Sequence, residues 1–145
     1  CTASVCLEGE QAMALEGGCQ CGAVRYRVEG EAQHTAFCHC RDCRRSSGAP
    51  AVAWSAFSAD QFTVTAGEAK VYNGVGAAKR HFCPHCGTGL WYLNEQYLPG
   101  IVDIQTATLD DPEALPAGAH IQTAEEISWM RSAHELPRFE RFPGA

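Results

Sequence analysis

The chain is predicted to fold as one mainly β domain, and three features of the sequence indicate this. Short segments alternate apolar and polar residues with a period of two, which is typical of half-buried strands. Glycines interrupt these segments at close intervals, as turns between short strands require. The length of 145 residues fits a single domain, and no repeat or long linker divides it.

The predicted strands follow one another through most of the chain. The first covers residues 23–28 and ends before Gly30. Similar runs follow at residues 51–57, 62–65, 69–72, 79–82, 90–93 and 101–106. Two stretches favour a helix: a short turn at 41–47, which Gly48 ends, and a weaker segment at 125–132. We therefore expect many short strands and few short helices.

Residues 17–140 are predicted to form the domain. Residues 1–16 are interpreted as an N-terminal extension or a cloning remnant, and residues 141–145 as a C-terminal tail. Cys1 and Cys6 lie outside any cluster of chelating residues, so we interpret them as incidental free thiols.

Seven of the nine cysteines fall into three clusters, which indicates a metal-binding protein. The clusters are Cys19-x-Cys21, Cys38-x-Cys40-x-x-Cys43 and Cys83-x-x-Cys86. In an extended segment, side chains at positions i and i+2 point to the same face, so a C-x-C pair can bind one ion. Seven soft thiolates favour zinc and divide naturally as four plus three, which leaves one position of a four-coordinate ion open. Spacing alone does not choose which clusters combine.

Charge and hydropathy argue against several classes of function. The formal net charge is −6 and no basic stripe is present, which disfavours a nucleic-acid partner. No apolar run approaches the ~18 residues of a membrane span, and residues 1–18 lack the Lys or Arg of a signal peptide. Free thiols and an odd number of cysteines favour a reducing compartment. We therefore expect a cytoplasmic protein with no membrane partner.

Three motifs occur in a specific order along the chain. They are Gly18-Cys19-Gln20-Cys21-Gly22, Cys38-His39-Cys40-Arg41-Asp42-Cys43 and Arg80-His81-Phe82-Cys83-Pro84-His85-Cys86-Gly87. This set resembles the glutathione-dependent formaldehyde-activating enzyme family, also called the centromere protein V family. The likeness continues through Leu109-Asp110-Asp111-Pro112 and Leu136-Pro137-Arg138-Phe139 and covers about residues 17–140.

The resemblance implies a β-tent fold, in which antiparallel sheets carry two zinc sites. It implies a structural zinc site of Cys19, Cys21, Cys83 and Cys86, and a second zinc at Cys38, Cys40 and Cys43 with an open, catalytic position. It also implies a carbon–sulfur lyase that combines glutathione, or a similar small thiol, with formaldehyde or another aldehyde to give an adduct such as S-hydroxymethylglutathione. We expect two zinc ions per chain, with the second site only partly occupied.

Residues near the second cluster are candidates for substrate binding. Arg44 and Arg45 follow Cys43 directly and could hold a carboxylate of the thiol, although they could equally be solvated residues of a short helix. Trp54 could wall the pocket or pack in the core. His39 lies between ligand positions and is predicted to point away from the metal, whereas His81 shares the strand face of Cys83 and is the histidine expected nearest a site.

Two other interpretations remain. The first is a non-catalytic, zinc-stapled module that binds a small thiol or a protein partner. The second is a redox dithiol at Cys83 and Cys86. The second is disfavoured because such a motif should open a helix, whereas Gly87 and Gly89 predict a turn into a strand.

Overall fold

The computed structural model describes residues 14–144, and its regular structure is mainly strand. The strands are β1 (Leu15–Gly18), β2 (Arg25–Val28), β3 (His34–Cys38), β4 (Val52–Ser58), β5 (Phe62–Ala66), β6 (Lys70–Asn73), β7 (Ala78–Phe82), β8 (Gly89–Asn94), β9 (Leu98–Gln105) and β10 (His120–Ile121). One α-helix, α1 (Arg41–Ser47), is found among the described residues. The mainly β prediction is therefore confirmed. Cys1 and Cys6 lie outside the described residues, and β1 begins inside the predicted extension.

The strands form two sheets. A three-stranded sheet has the order β1-β2-β5, and a seven-stranded sheet has the order β10-β3-β4-β9-β8-β7-β6. All pairings within them are antiparallel except that of β10 with β3, which is parallel. A parallel neighbour needs a long connection, and β10 arrives after the 3-10 turns Thr106–Thr108 and Pro112–Ala114. The expected antiparallel sheets thus gain one parallel edge strand.

The two predicted helices have different outcomes. Residues 41–47 do form α1, which begins after Cys40 and ends at Gly48, whose φ of 72° suits glycine. The segment at 125–132 does not form an α-helix. It lies across the 3-10 turns Thr123–Glu125 and Ser128–Glu135, and the second of these is kinked at Ser132, where φ is −116°. Its side chains are mostly exposed, so no apolar face holds a regular helix against the sheets.

The main core lies where the two sheets meet. Tyr26 of β2 contacts Phe62 of β5 and Trp91 of β8, with ring centroids 5.7 Å and 6.1 Å away. Ile104 of β9 and Phe57 of β4 are fully buried in the same cluster. This packing fixes the orientation of the seven-stranded sheet, because burying one face of each strand sets where the other face points.

Strand alternation then directs a second set of side chains to the opposite face. Trp91 pairs with Ile104 across β8 and β9 on the core side, and their neighbours Tyr92 and Asp103 pair on the other side. That other face carries the second cysteine cluster and the cavity described below.

No helix within residues 14–144 has the length and apolar character needed to cross a membrane.

Candidate metal centres and the adjoining cavity

The first candidate metal centre joins two turns that are distant in sequence. Cys19 and Cys21 lie in the turn between β1 and β2, and Cys83 and Cys86 lie in the turn between β7 and β8. Their four sulfur atoms lie within 4.8 Å of one another. We call this group the closed cluster.

The sulfur spacing in the closed cluster fits a bound metal ion. The Sγ atoms of Cys19 and Cys21 are 3.6 Å apart, and those of Cys21 and Cys83 are 3.7 Å apart. A disulfide would need about 2.05 Å. Four ligands at the zinc–sulfur distance of about 2.3 Å in a tetrahedron have their sulfurs about 3.8 Å apart. All seven cysteines of the described chain are free thiols.

The two turns of the closed cluster have matching backbones. Gly22 and Gly87 each have φ near 81°, and their N–H groups donate to the carbonyls of Cys19 and Cys83 at 3.1 Å and 2.9 Å. The left-handed conformation favours glycine at both positions. Backbone N–H groups also point at sulfur: that of Val24 lies 3.3 Å from Cys19 Sγ. Such donors stabilise thiolates, the form that binds metal.

Thr88 links the two turns. Its hydroxyl accepts from the N–H of Gln20 at 3.2 Å and lies 3.2 Å from Cys86 Sγ. The hydrogen bond from this hydroxyl is the main cause that lowers the pKa of Cys86 to about 5. The closed cluster therefore carries built-in support for a negative sulfur.

The second candidate metal centre is local in sequence. Cys38 ends β3, Cys40 precedes α1 and Cys43 lies in the first turn of that helix. Their sulfur atoms lie within 4.8 Å of one another, and among the described residues no fourth His, Cys, Asp or Glu atom completes the group. Cys40 caps α1, since its Sγ accepts from the N–H of Cys43 at 3.2 Å. We call this group the open cluster.

Hydrogen bonding between the thiols of the open cluster shifts their pKa values in opposite directions. The contact with Cys43 lowers the pKa of Cys38, and the same contact raises the pKa of Cys43, with burial adding to the rise. Burial also raises the pKa of Cys40. One sulfur is therefore favoured as a thiolate, and the others need a cation to lose their protons.

The histidines of the motifs lie outside both clusters. His39 is fully buried, and its Nε2 lies 2.8 Å from Nδ1 of His120, which holds β10 against β3. His39 thus points away from the cysteines, as expected. His81 was expected nearest a site, but it stacks on Trp91 with ring centroids 5.2 Å apart. It belongs to neither group of metal-ligating atoms.

A cavity of about 210 Å³ adjoins the open cluster. Its lining includes all three cysteines of that cluster together with Asp42, Trp54, Arg80, Tyr92, Asp103, Ile121 and Gln122. Of the three residues predicted to bind substrate, Trp54 lines this cavity, and Arg44 and Arg45 are not among its lining residues. Arg44 is half-buried on α1, and its Nε atom is buried without a hydrogen-bond partner, while Arg45 is exposed.

Three neighbouring strands supply the floor of the cavity. Arg80 of β7 pairs in register with Tyr92 of β8, which pairs with Asp103 of β9. The guanidinium of Arg80 lies over the Tyr92 ring, 5.0 Å from its centroid. Trp54 of β4 stands 6.0 Å from Tyr92, centroid to centroid, and closes one side.

Asp103 is the most unusual of these groups. Its Oδ1 atom is buried and has no hydrogen-bond partner. Burial raises the pKa of its carboxyl to about 6, and the positive charge of His34 opposes the rise. The carboxyl therefore titrates close to neutral pH, in the range useful for proton transfer.

Gln122 lines the same cavity in a strained conformation. Its φ of 57° makes it the one residue other than glycine with positive φ in the described part of the chain. A side chain in this region costs ~1 kcal/mol, and such strain tends to be found at functional sites.

Comparison with known proteins decides the family. A family model described as "Glutathione-dependent formaldehyde-activating enzyme" matches residues 14–125. The chain belongs to this family. The resemblance noted in the sequence is thereby confirmed.

Two relatives and one solved structure are similar to this member of the glutathione-dependent formaldehyde-activating enzyme family. A Halomonas elongata protein named "Putative glutathione-dependent formaldehyde-activating enzyme" is 28% identical over 126 residues, covering 81% of this chain and 80% of the relative. An uncharacterized lyase of Schizosaccharomyces pombe is 31% identical over 77 residues, 53% of this chain and 56% of the relative. A crystal structure of a Rhodobacter sphaeroides protein has a TM-score of 0.59 at 25% identity, covering 73% of this chain and 99% of that one.

Trp54 was predicted from the sequence of this family member to line the pocket, whereas Arg80, Tyr92, Asp103, Ile121 and Gln122 were not. Asp103 carried one available signal, since it interrupts the apolar run Ile101-Val102-Asp103-Ile104. Arg80 and Tyr92 lie in strands whose residues alternate between apolar and polar, where a polar or aromatic residue is ordinary. Their meeting depends on strand register between distant segments, which a single sequence does not reveal.

Proposed function

We propose that this protein is a zinc-dependent carbon–sulfur lyase of the S-hydroxymethylglutathione synthase type. Its substrate would be an adduct of glutathione, or a similar small thiol, with formaldehyde or another aldehyde. The observation that carries the proposal is the open cluster, where three thiols face a cavity and a fourth ligand is missing from the described residues. Family membership and the lyase name of one relative support the same reaction class.

Zinc fits both clusters by the softness and spacing of the sulfur ligands. Cys19, Cys21, Cys83 and Cys86 would hold a structural ion, and Cys38, Cys40 and Cys43 would hold a second ion, only partly occupied at rest. A zinc ion with an open position would supply Lewis acidity that stabilises the thiolate form of a substrate thiol.

The residues of the chain would bind and orient the substrate. Trp54 and Tyr92 form apolar walls that suit the methylene groups beside the reacting sulfur. Arg80 offers a cation at the cavity, and Arg44 and Arg45 offer further cations on α1 for the carboxylates of a glutathione-like thiol. A cavity of about 210 Å³ is smaller than typical ligand pockets of ~300–1,000 Å³, so the rest of such a thiol would lie outside it.

The wider setting is part of the proposal. Seven free thiols need a reducing compartment, which favours the cytoplasm. The net charge of −6 gives no reason to expect a nucleic-acid partner.

The test compares the wild type with Cys40→Ser and, as a control on the same helix, Ser46→Ala. Magnetization-exchange NMR would measure how fast glutathione and formaldehyde interconvert with their adduct, and cobalt substitution would report thiol binding to the metal. We expect the wild type and Ser46→Ala to accelerate the exchange and to change the cobalt spectrum on adding glutathione. Both effects should be lost in Cys40→Ser.

Other results would contradict this function. A cobalt spectrum that responds to glutathione without any accelerated exchange would favour the non-catalytic thiol-binding module. Two inert metals that ignore glutathione would make both clusters structural.

A further inference from the structure

Asp103 occupies a position where a carboxyl group has no structural task. It lies in β9, near the middle of the seven-stranded sheet, with Tyr92 of β8 and Ala56 of β4 as its register partners. Its Oδ1 atom is buried and unpaired, and no ion pair of the described residues includes it. A buried carboxylate without a partner destabilises a fold, whereas an apolar residue would stabilise it.

The nearby groups leave Asp103 free to act on a ligand. The guanidinium of Arg80 lies over the Tyr92 ring, and the Tyr92 hydroxyl accepts a hydrogen bond from Asn94 at 3.0 Å. Neither of these contacts satisfies the carboxyl of Asp103. The cavity that Asp103 lines is also lined by the three cysteines of the open cluster. Asp103 and the three thiols therefore line one small space.

Resting on the proposed function, we propose that Asp103 is the acid–base group of this site. Its carboxylate accepts the proton of the substrate thiol and then returns that proton to the aldehyde oxygen. The reaction therefore begins and ends with the same ionised carboxylate.

The step balances without another reactant. The thiol S–H bond breaks and its proton passes to Asp103, while the sulfur electron pair forms the new C–S bond at the aldehyde carbon. The C=O π pair moves onto oxygen, and the O–H bond forms when Asp103 gives the proton back. Breakdown of the adduct runs through the same transfers in reverse, so no oxidant or reductant is needed.

The acid–base properties of Asp103 match this role. Burial raises the pKa of its carboxyl to about 6, so it is mostly ionised at neutral pH while its conjugate acid remains strong enough to protonate an alkoxide. The titratable or charged groups on elements around it are Arg80, Tyr92, His34, Asp42 and the three cysteines of the open cluster. Among these, His34 lowers the pKa of Asp103.

The experiment uses three variants of the zinc-loaded protein. Asp103→Asn removes the proton acceptor and keeps the size, Asp103→Glu keeps the acid, and Asp60→Asn removes an exposed carboxyl from the 3-10 turn Ala59–Gln61 as a control. Three readouts are taken: the NMR exchange rate against pH, glutathione binding and zinc content, and the midpoint of urea denaturation.

We expect Asp103→Asn to lose ~100-fold or more of the enzyme-dependent exchange rate, the range of general acid–base catalysis. It should still bind zinc and glutathione, and its denaturation midpoint at neutral pH should rise. The wild-type rate should fall as pH drops through about 6, Asp103→Glu should retain part of the rate, and Asp60→Asn should match the wild type.

Specific results would overturn the assignment. An Asp103→Asn variant with the wild-type rate, or one that loses zinc or glutathione in step with the rate, would show that Asp103 is not the acid–base group. A wild type that binds glutathione but accelerates no exchange would refute the proposed function itself, and the acid–base role with it. The wild-type rate therefore tests the function, and the ratio of variant to wild type tests Asp103.

Discussion

The closed and open clusters are built from the same residue type but differ in how the fold supports them. The closed cluster takes two cysteines from each of two matching turns, and backbone N–H groups and Thr88 support its sulfurs. The open cluster takes three cysteines from one short segment and faces a cavity with an unpaired carboxyl. If the proposed function is right, ligand number and surroundings, rather than ligand chemistry, separate the structural metal centre from the reactive one.

The largest expected effect separates the two clusters by stability. Cys83→Ser should lower the free energy of unfolding by several kcal/mol and release metal, because Cys83 is fully buried and its cluster ties two distant turns together. Cys40→Ser should cost no more than about 1 kcal/mol. Urea denaturation with metal analysis measures both. Equal decreases in the free energy of unfolding of the two variants would mean that the two clusters contribute equally to stability.

The next effect concerns the pH dependence introduced by Asp103. Its folded-state pKa of about 6 is above the unfolded value of 3.8, so the native state holds a proton that the unfolded chain has released. The contribution of Asp103 to stability is therefore largest below the unfolded pKa and is lost as pH rises through about 6. Asp103→Asn should remove this fall and raise the free energy of unfolding at pH 7.5 by about 2 kcal/mol.

The measurement is the difference in the free energy of unfolding between Asp103→Asn and the wild type, taken at pH 5 and at pH 7.5. Metal loss by thiol protonation affects both proteins and cancels in the difference. The prediction would be contradicted if this difference in the free energy of unfolding stayed constant or became smaller as pH rises.

A smaller effect should come from Thr88, which supports the closed cluster only. Thr88→Val removes the hydroxyl that accepts from Gln20 and contacts Cys86, and should cost about 1 kcal/mol in denaturation experiments. The exposed Thr63 of β5 provides the control variant Thr63→Val, which should be near neutral. The exchange rate at the open cluster should not change, and a parallel loss there would show that the two centres are coupled.

The smallest effect should come from the strained Gln122. Glycine adopts positive φ without penalty, so Gln122→Gly should raise the free energy of unfolding by about 0.5–1 kcal/mol. Gln96→Gly, at a turn with ordinary backbone, should have the opposite sign. If Gln122 contacts the thiol ligand, glutathione affinity should fall as stability rises. If glutathione affinity is unchanged, the positive φ of Gln122 serves only the path of the backbone and has no role in binding the ligand.

Local spacing predicted much of the fold and little of the cavity. The extent of α1 follows from Gly48, and the grouping within each cysteine motif follows from ligands two or three residues apart. The parallel pairing of β10 depends on a long connection that no local pattern encodes. Asp103 meets Tyr92 because β8 and β9 pair in one register, and a slip of one residue would send Asp103 into the core instead.

The matching turns of the closed cluster also have a consequence for the unfolded chain. Cys21 and Cys83 are 62 positions apart, so a metal ion held between them would act as a removable cross-link that closes a long loop. By the chain-entropy estimate for cross-links, closing such a loop raises the free energy of the denatured ensemble by about 4 kcal/mol. The short loop of the open cluster raises it far less. Metal supply would thus govern how readily a newly made chain reaches its native topology, because the closed cluster needs its ion to close the long loop. The open cluster would remain free to exchange its ion after folding.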